Sequence, residues 1–132
     1  EKRFAYEIKK RKLNKKIQWH GAKSGNDLKK HFQDSSIFIS TSRFEGFPLV
    51  FAEAMSFGLP VIAMKNSGSA EVLNKGEYGV LVKQGDVAEF VVKLKQFQNS
   101  PDLKTKYGKL SKERSDMFSV EKIISIWEEI LQ

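Results

Sequence analysis

A chain of 132 residues, 40% hydrophobic and 30% charged, has the size of one ordinary domain with a sizeable core. It contains no cysteine, which excludes disulfide staples and thiolate metal sites and fits a reducing compartment. No apolar run reaches the length of a transmembrane helix, no secretory leader or repeat is visible, and Glu1 is not a natural start.

The net charge of +7 is uneven, because residues 1–16 alone hold eight Lys/Arg and two acids. Phe4 and Ile8 lie four apart, so this opening predicts an amphipathic helix with a solvated basic face. The functional alternative is attraction to an anionic membrane surface or to nucleic acid. Ile17–Gly21 predicts a strand that ends in a glycine turn, with His20 at its carboxyl end and Trp19 in the core or at the rim. Asn26 is the expected N-cap of a helix running to about Gln33, with Leu28 and Phe32 on one face and His31 exposed.

The stretch from Ser42 to Pro60 lies between two short apolar runs, Ile37–Ser40 and Val61–Met64, each predicting a buried strand. Pro48 suits the first position of a helix, and Gly58 followed by Pro60 marks its end. The unit is therefore strand, turn, helix, strand. Its turn lies at the carboxyl edge of a parallel sheet, where ligands bind in open α/β folds. The amides of Leu49 and Val50 lack intrahelical partners and sit at the positive end of the helix dipole, so they suit a phosphate. Gly46 allows close approach to the backbone. Glu53, one turn after Leu49, is placed for hydroxyls such as those of a ribose. Glu45, in the turn, is placed for hydroxyls or developing positive charge on the other side of the phosphate.

Beyond this unit, Ser67 or Gly68 starts a helix carrying Glu71, Val72 and Leu73. Glu71 reads equally as a helix-start carboxylate and as a site residue. Gly76–Gly79 makes a turn before the last strand, Val80–Val82. Asp86 and Glu89 resemble a capping box for a helix to about Phe97, with Phe90, Leu94 and Phe97 inward. Ser100-Pro101 starts a further helix, and Ser119 a final one whose Ile123, Trp127 and Ile130 form a core stripe. Four short strands alternating with helices predict an α/β chain with a Rossmann-like parallel sheet.

In order, the motifs are Glu45 and Glu53 with seven residues between them, Gly58-Leu59-Pro60-Val61-Ile62-Ala63, Gly68-Ser69-Ala70-Glu71-Val72, and Gly79-Val80-Leu81-Val82. Together they resemble the retaining GT-B glycosyltransferases of family 4, over about residues 17–86. The resemblance implies that Glu53 holds the nucleotide ribose and that Glu45 contacts the donor sugar in a catalytic role. The turn residues Gly46, Phe47, Leu49 and Val50 then bind sugar and diphosphate, with His20, Gly21 and Gly68 as candidate rim contacts. It further implies a nucleotide-diphosphate sugar as co-substrate, UDP-linked by default, and no metal. The sequence has no Asp-x-Asp pair and no His-Glu-x-x-His spacing.

On this resemblance, residues 1–132 form one partial nucleotide-sugar-binding domain of about four strands. The amino-terminal acceptor domain and the first donor-domain strands, with a Gly-Arg pair and a Lys, lie outside it. The Ile17–His20 strand is then expected to close directly onto the Ile37–Ser40 strand. The expected acceptor is a sugar or lipid-linked glycan, as in polysaccharide biosynthesis, in the cytoplasm with peripheral membrane contact and no nucleic acid. The isolated chain is expected to be inactive. Two alternatives stand beside this: a non-catalytic nucleotide-sugar-binding module, and a basic binder of membrane surfaces or nucleic acid.

Overall fold

The computed structural model describes residues 2–131. They divide into two compact units, residues 1–31 and 32–132. In the first unit, α1 (Lys2–Lys10) carries Phe4, whose ring packs against Trp19 with centroids 5.2 Å apart. The second helix, α2 (Gly25–Gln33), begins earlier than expected, so that Asn26, the expected N-cap, is its second residue. Residues 17–21 form no strand, contrary to the expectation from their apolar run. The local backbone explains this: Leu13 accepts the amides of both Lys16 and Ile17, so the segment leaves a turn with its first amide already engaged. A short strand holds its shape only through ladder hydrogen bonds to a neighbour, and none forms here. Trp19 is half exposed, and His31 is half-buried, its ring 4.4 Å from that of His20.

The second unit contains a parallel sheet of three strands rather than four, in the order β1 (Phe38–Ser40), β2 (Val61–Met64), β3 (Val80–Val82). Phe38 is registered with Val61 and Ile62 with Val80. Residues 17–20 are not a strand of this sheet, contrary to the expected closure onto β1, which is its edge strand. β2 is buried along its whole length, which explains its uninterrupted apolar run. Its side chains alternate between two cores. Val61 and Ala63 join Phe51, Met55, Val72 and Leu73, whereas Ile62 and Met64 join Val82, Phe90 and Phe97.

Helix α3 (Leu49–Ser56) brings Phe51 and Met55 onto the first face, each fully buried and each stabilising the fold by about 1.5–3 kcal/mol. Pro48 is its N-cap rather than its first residue, because ψ of 94° leaves the proline extended. The helix ends as expected. Gly58 adopts φ +73°, its amide bonds to Met55 O at 2.8 Å, and the Leu59 amide bonds to Ala54 O at 3.3 Å.

Helix α4 (Ser67–Val72) starts one residue earlier than the Gly68 alternative, because Asn66 caps it in a reciprocal box with Ser69. Helix α5 (Val87–Asn99) is capped by Asp86, which accepts from Glu89 N and so forms one half of the expected box, and α6 (Pro101–Asp116) is capped by Ser100 as the sequence predicts. The last helix, α7 (Val120–Leu131), has the expected start, but its apolar stripe is not core. Ile123, Trp127 and Ile130 are 43%, 58% and 68% exposed. Periodicity identifies an amphipathic face; it does not identify what covers it.

Arg114 of α6 fastens the far end of α4. Its Nε donates to Val72 O at 2.8 Å and its Nη2 to Glu71 O at 2.9 Å, while the guanidinium lies over the Phe118 and Tyr78 rings. A cation at a helix carboxyl end also complements the dipole. Burial, then the charges of Glu77 and Glu113, raises the Tyr78 phenol above its ordinary range against the opposing Arg114 charge. Arg114→Met keeps most of the bulk and removes the donors. It should lower stability in urea by about 2 kcal/mol, as expected for hydrogen bonds from a charged donor; an unchanged midpoint would contradict this role.

Candidate functional site

The site lies at the carboxyl edge of the sheet in the second unit. It begins where β1 ends and the chain turns through residues 41–48 into α3. Pro48 offers no side-chain cap, and Phe51 N already bonds to Pro48 O at 2.9 Å. Among the described residues, no hydrogen bond reaches the amides of Leu49 or Val50, so the first two donors of α3 stay open. Both residues are exposed. An anion placed there would meet two N–H groups and the positive end of the helix dipole.

Glu45 is half-buried in the turn and Glu53 is exposed on α3. Glu53 also lines a 380 Å³ groove with Ala52, Ser56, Ser115, Asp116 and Ser119. The groove is rich in hydroxyls, but Ser56 and Ser115 donate theirs to the carbonyls of Glu53 and Lys112 on their own helices. Glu53 thus offers the groove an acceptor beside hydroxyls already held in place. Phe47 stacks edge-on against Phe118 with centroids 5.3 Å apart, which anchors the turn to the segment after α6. Phe44, by contrast, is 91% exposed.

The two conspicuous glycines differ in what they require. Gly46 is exposed, has no left-handed φ, and a Cβ added there would meet nothing within 4 Å. Among the described residues, nothing requires glycine at that position. Gly68 is buried beneath the turn. An added Cβ would collide with the Gly46 carbonyl oxygen and lie 2.8 Å from Glu45 O and 2.9 Å from Pro48 Cδ.

The structure thus assembles Glu45, Gly46, Phe47, Leu49, Val50 and Glu53 along one turn and helix start, with Gly68 beneath them as the surface on which the turn rests. His20 and Gly21 belong to the first unit, and the site described here is built from the second alone. Among the described residues, no group of three or more His, Asp or Glu side chains is placed to hold a metal ion. Reading the sequence missed the side chains that hold the turn. Asn66 Nδ2 donates to Ser42 O at 3.0 Å and Ser67 Oγ to Glu45 O at 3.2 Å. Gln84 Nε2 lies 3.3 Å from both Ser42 O and Arg43 O. The Asn66-x-x-Ser69 spacing could have revealed the cap, but nothing local marks Gln84.

The family model of the group 1 glycosyl transferases matches residues 1–114. The chain belongs to this family. Over 107 residues it is 37% identical to an uncharacterised glycosyltransferase of Haemophilus influenzae, covering 80% of this chain and 30% of that protein. It is also 29% identical over 105 residues to the amylovoran biosynthesis glycosyltransferase AmsD of Erwinia amylovora, covering 79% of this chain and 29% of that one. The crystal structure of TarM superposes with a TM-score of 0.83 at 24% identity, over 98% of this chain and 26% of TarM. That likeness gives the fold as GT-B. The chain spans less than a third of the length of each of these proteins.

Proposed function

We propose that this chain is the donor-binding part of a longer, retaining family 4 glycosyltransferase, which moves a hexose from a nucleoside diphosphate sugar to a glycan acceptor. The observation that carries the reading is the pair of open amides, Leu49 and Val50, at the carboxyl edge of the sheet between Glu45 and Glu53, in a chain of the glycosyltransferase family. In this reading the diphosphate sits on the start of α3. Glu53 accepts hydrogen bonds from the ribose, and Glu45 faces the donor sugar.

The chemistry follows from the charges. When the bond from the anomeric carbon to the diphosphate breaks, negative charge grows on the leaving oxygen and positive charge on the sugar ring. The amides of α3 and its dipole oppose the first, an electrostatic role already oriented before reaction. The Glu45 carboxylate opposes the second, by analogy with the carboxylates of glycosidases. The default donor is a UDP-sugar, and no metal is required in this scheme. The acceptor, a sugar or lipid-linked glycan, is bound by another part of the polypeptide. AmsD, named for amylovoran biosynthesis, supports a role in polysaccharide assembly. A cytoplasmic enzyme touching an anionic membrane is consistent with the exposed Arg3, Lys9, Lys10, Arg11, Lys12, Lys15 and Lys16.

In the full-length enzyme, Glu45→Gln should lower kcat while nucleoside diphosphate affinity stays within a few fold. Lost nucleotide affinity with kcat intact would exchange the roles of the two glutamates. A full-length protein that transfers sugar from no nucleoside diphosphate donor would end the reading.

A further inference from the structure

The turn that carries Glu45 makes most of its polar contacts through carbonyls. Ser42 O accepts from Asn66 Nδ2 at 3.0 Å and from Gln84 Nε2 at 3.3 Å, which occupies both of its lone pairs. Arg43 O faces the same Gln84 amide, Glu45 O accepts from Ser67 Oγ, and Gly46 O abuts Gly68. These donors come from two places, the start of α4 and the turn after β3. That second turn is closed by Asp86 N to Lys83 O at 3.0 Å, with Gly85 at φ +85°. Because β3 is separated from β1 by β2, Gln84 reaches across the sheet edge to the turn.

A trans peptide is planar, with its N–H pointing opposite to its C=O. When the carbonyls of Ser42, Arg43, Glu45 and Gly46 face α4 and Gln84, the amides of Arg43, Phe44, Gly46 and Phe47 face away from them. Among the described residues, no hydrogen bond reaches the Gly46 or Phe47 amide. We propose that Asn66, Ser67 and Gln84 are positioning residues which, by holding these carbonyls, turn the Gly46 and Phe47 amides outward to join those of Leu49 and Val50 in binding the diphosphate. This rests on the donor-site reading above and extends it to three residues that touch no ligand themselves.

Asn66 allows the test to separate positioning from stability. Its Oδ1 caps α4 by accepting from Ser69 N at 2.9 Å, while its Nδ2 holds the turn. Asn66→Asp keeps an equally good cap. It removes the donor and sets a carboxylate against the Ser42 carbonyl. The experiment uses the full-length protein and whichever of UDP, GDP and ADP the wild type binds tightest, together with the matching nucleoside. Asn66→Asp and Gln84→Met should each weaken diphosphate binding about tenfold, leave nucleoside binding within twofold, and leave the protein fully folded at the assay temperature, with at most a small drop in melting temperature. Gln84→Lys, which restores a donor, should recover part of the loss. A merely structural role would weaken both ligands together. Diphosphate binding equal to wild type in both variants, with Glu53→Ala impaired, would overturn the positioning proposal alone. If wild type binds none of the three diphosphates, the donor-site reading fails and this proposal with it.

Discussion

Glu53→Ala in the full-length enzyme is expected to reduce nucleoside diphosphate affinity by about 1.5–3 kcal/mol, the usual range for hydrogen bonds to a charged group. The size follows from position. Glu53 lies one helical turn beyond Leu49, on the same side of α3, so a diphosphate on the open amides brings its ribose within reach. It is exposed and has no ion-pair partner among the described residues, so its removal should leave folding stability within about 0.5 kcal/mol. Titration calorimetry with matched melting curves separates the two effects. Unchanged nucleotide affinity would remove Glu53 from the site.

Gly68→Ala is expected to have the largest structural effect of any single methyl group in this region. The added carbon would overlap the Gly46 carbonyl and press on Glu45 O and Pro48 Cδ, all parts of one turn. Overpacking of this kind costs about 1–3 kcal/mol and is relieved by moving backbone. The backbone that moves is the one carrying Glu45, so transfer activity should fall further than stability. Gly46→Ala is the contrasting case. With open space around the new methyl and an ordinary φ, it should fold as wild type. It should lose donor affinity only because a bound ligand occupies that space. Urea unfolding and donor titration on the two variants check both halves. A stable, fully active Gly68→Ala protein would contradict the close approach, and full donor affinity in Gly46→Ala would place the ligand elsewhere.

These residues also show what could be read in advance. The β1–α3–β2 unit was legible because its signals are local: apolar runs, Pro48 at the entry and Gly58 at the exit. The open amides follow from helix geometry alone. The caps at Asp86 and Ser100 were legible for the same reason. Residues 17–21 form no strand, because an apolar run becomes one only when another strand satisfies its amides. The α7 stripe reads as core from its spacing, yet Ile123, Trp127 and Ile130 are exposed, because the number and spacing of apolar residues do not reveal their cover. The holders of the turn were out of reach, since Asn66 and Gln84 lie 24 and 42 residues from Ser42 in sequence. Gly68 was visible as a glycine in a motif, but its place beneath Gly46 depends on the packing of α4 against the turn.

The most direct measurement is a crystal structure of the full-length protein with a bound nucleoside diphosphate. Phosphate oxygens are expected about 3 Å from the Leu49 and Val50 amides, the hydrogen-bond distance for such donors, with a ribose hydroxyl on the Glu53 carboxylate. A diphosphate bound away from the start of α3, with Glu53 facing solvent, would contradict it.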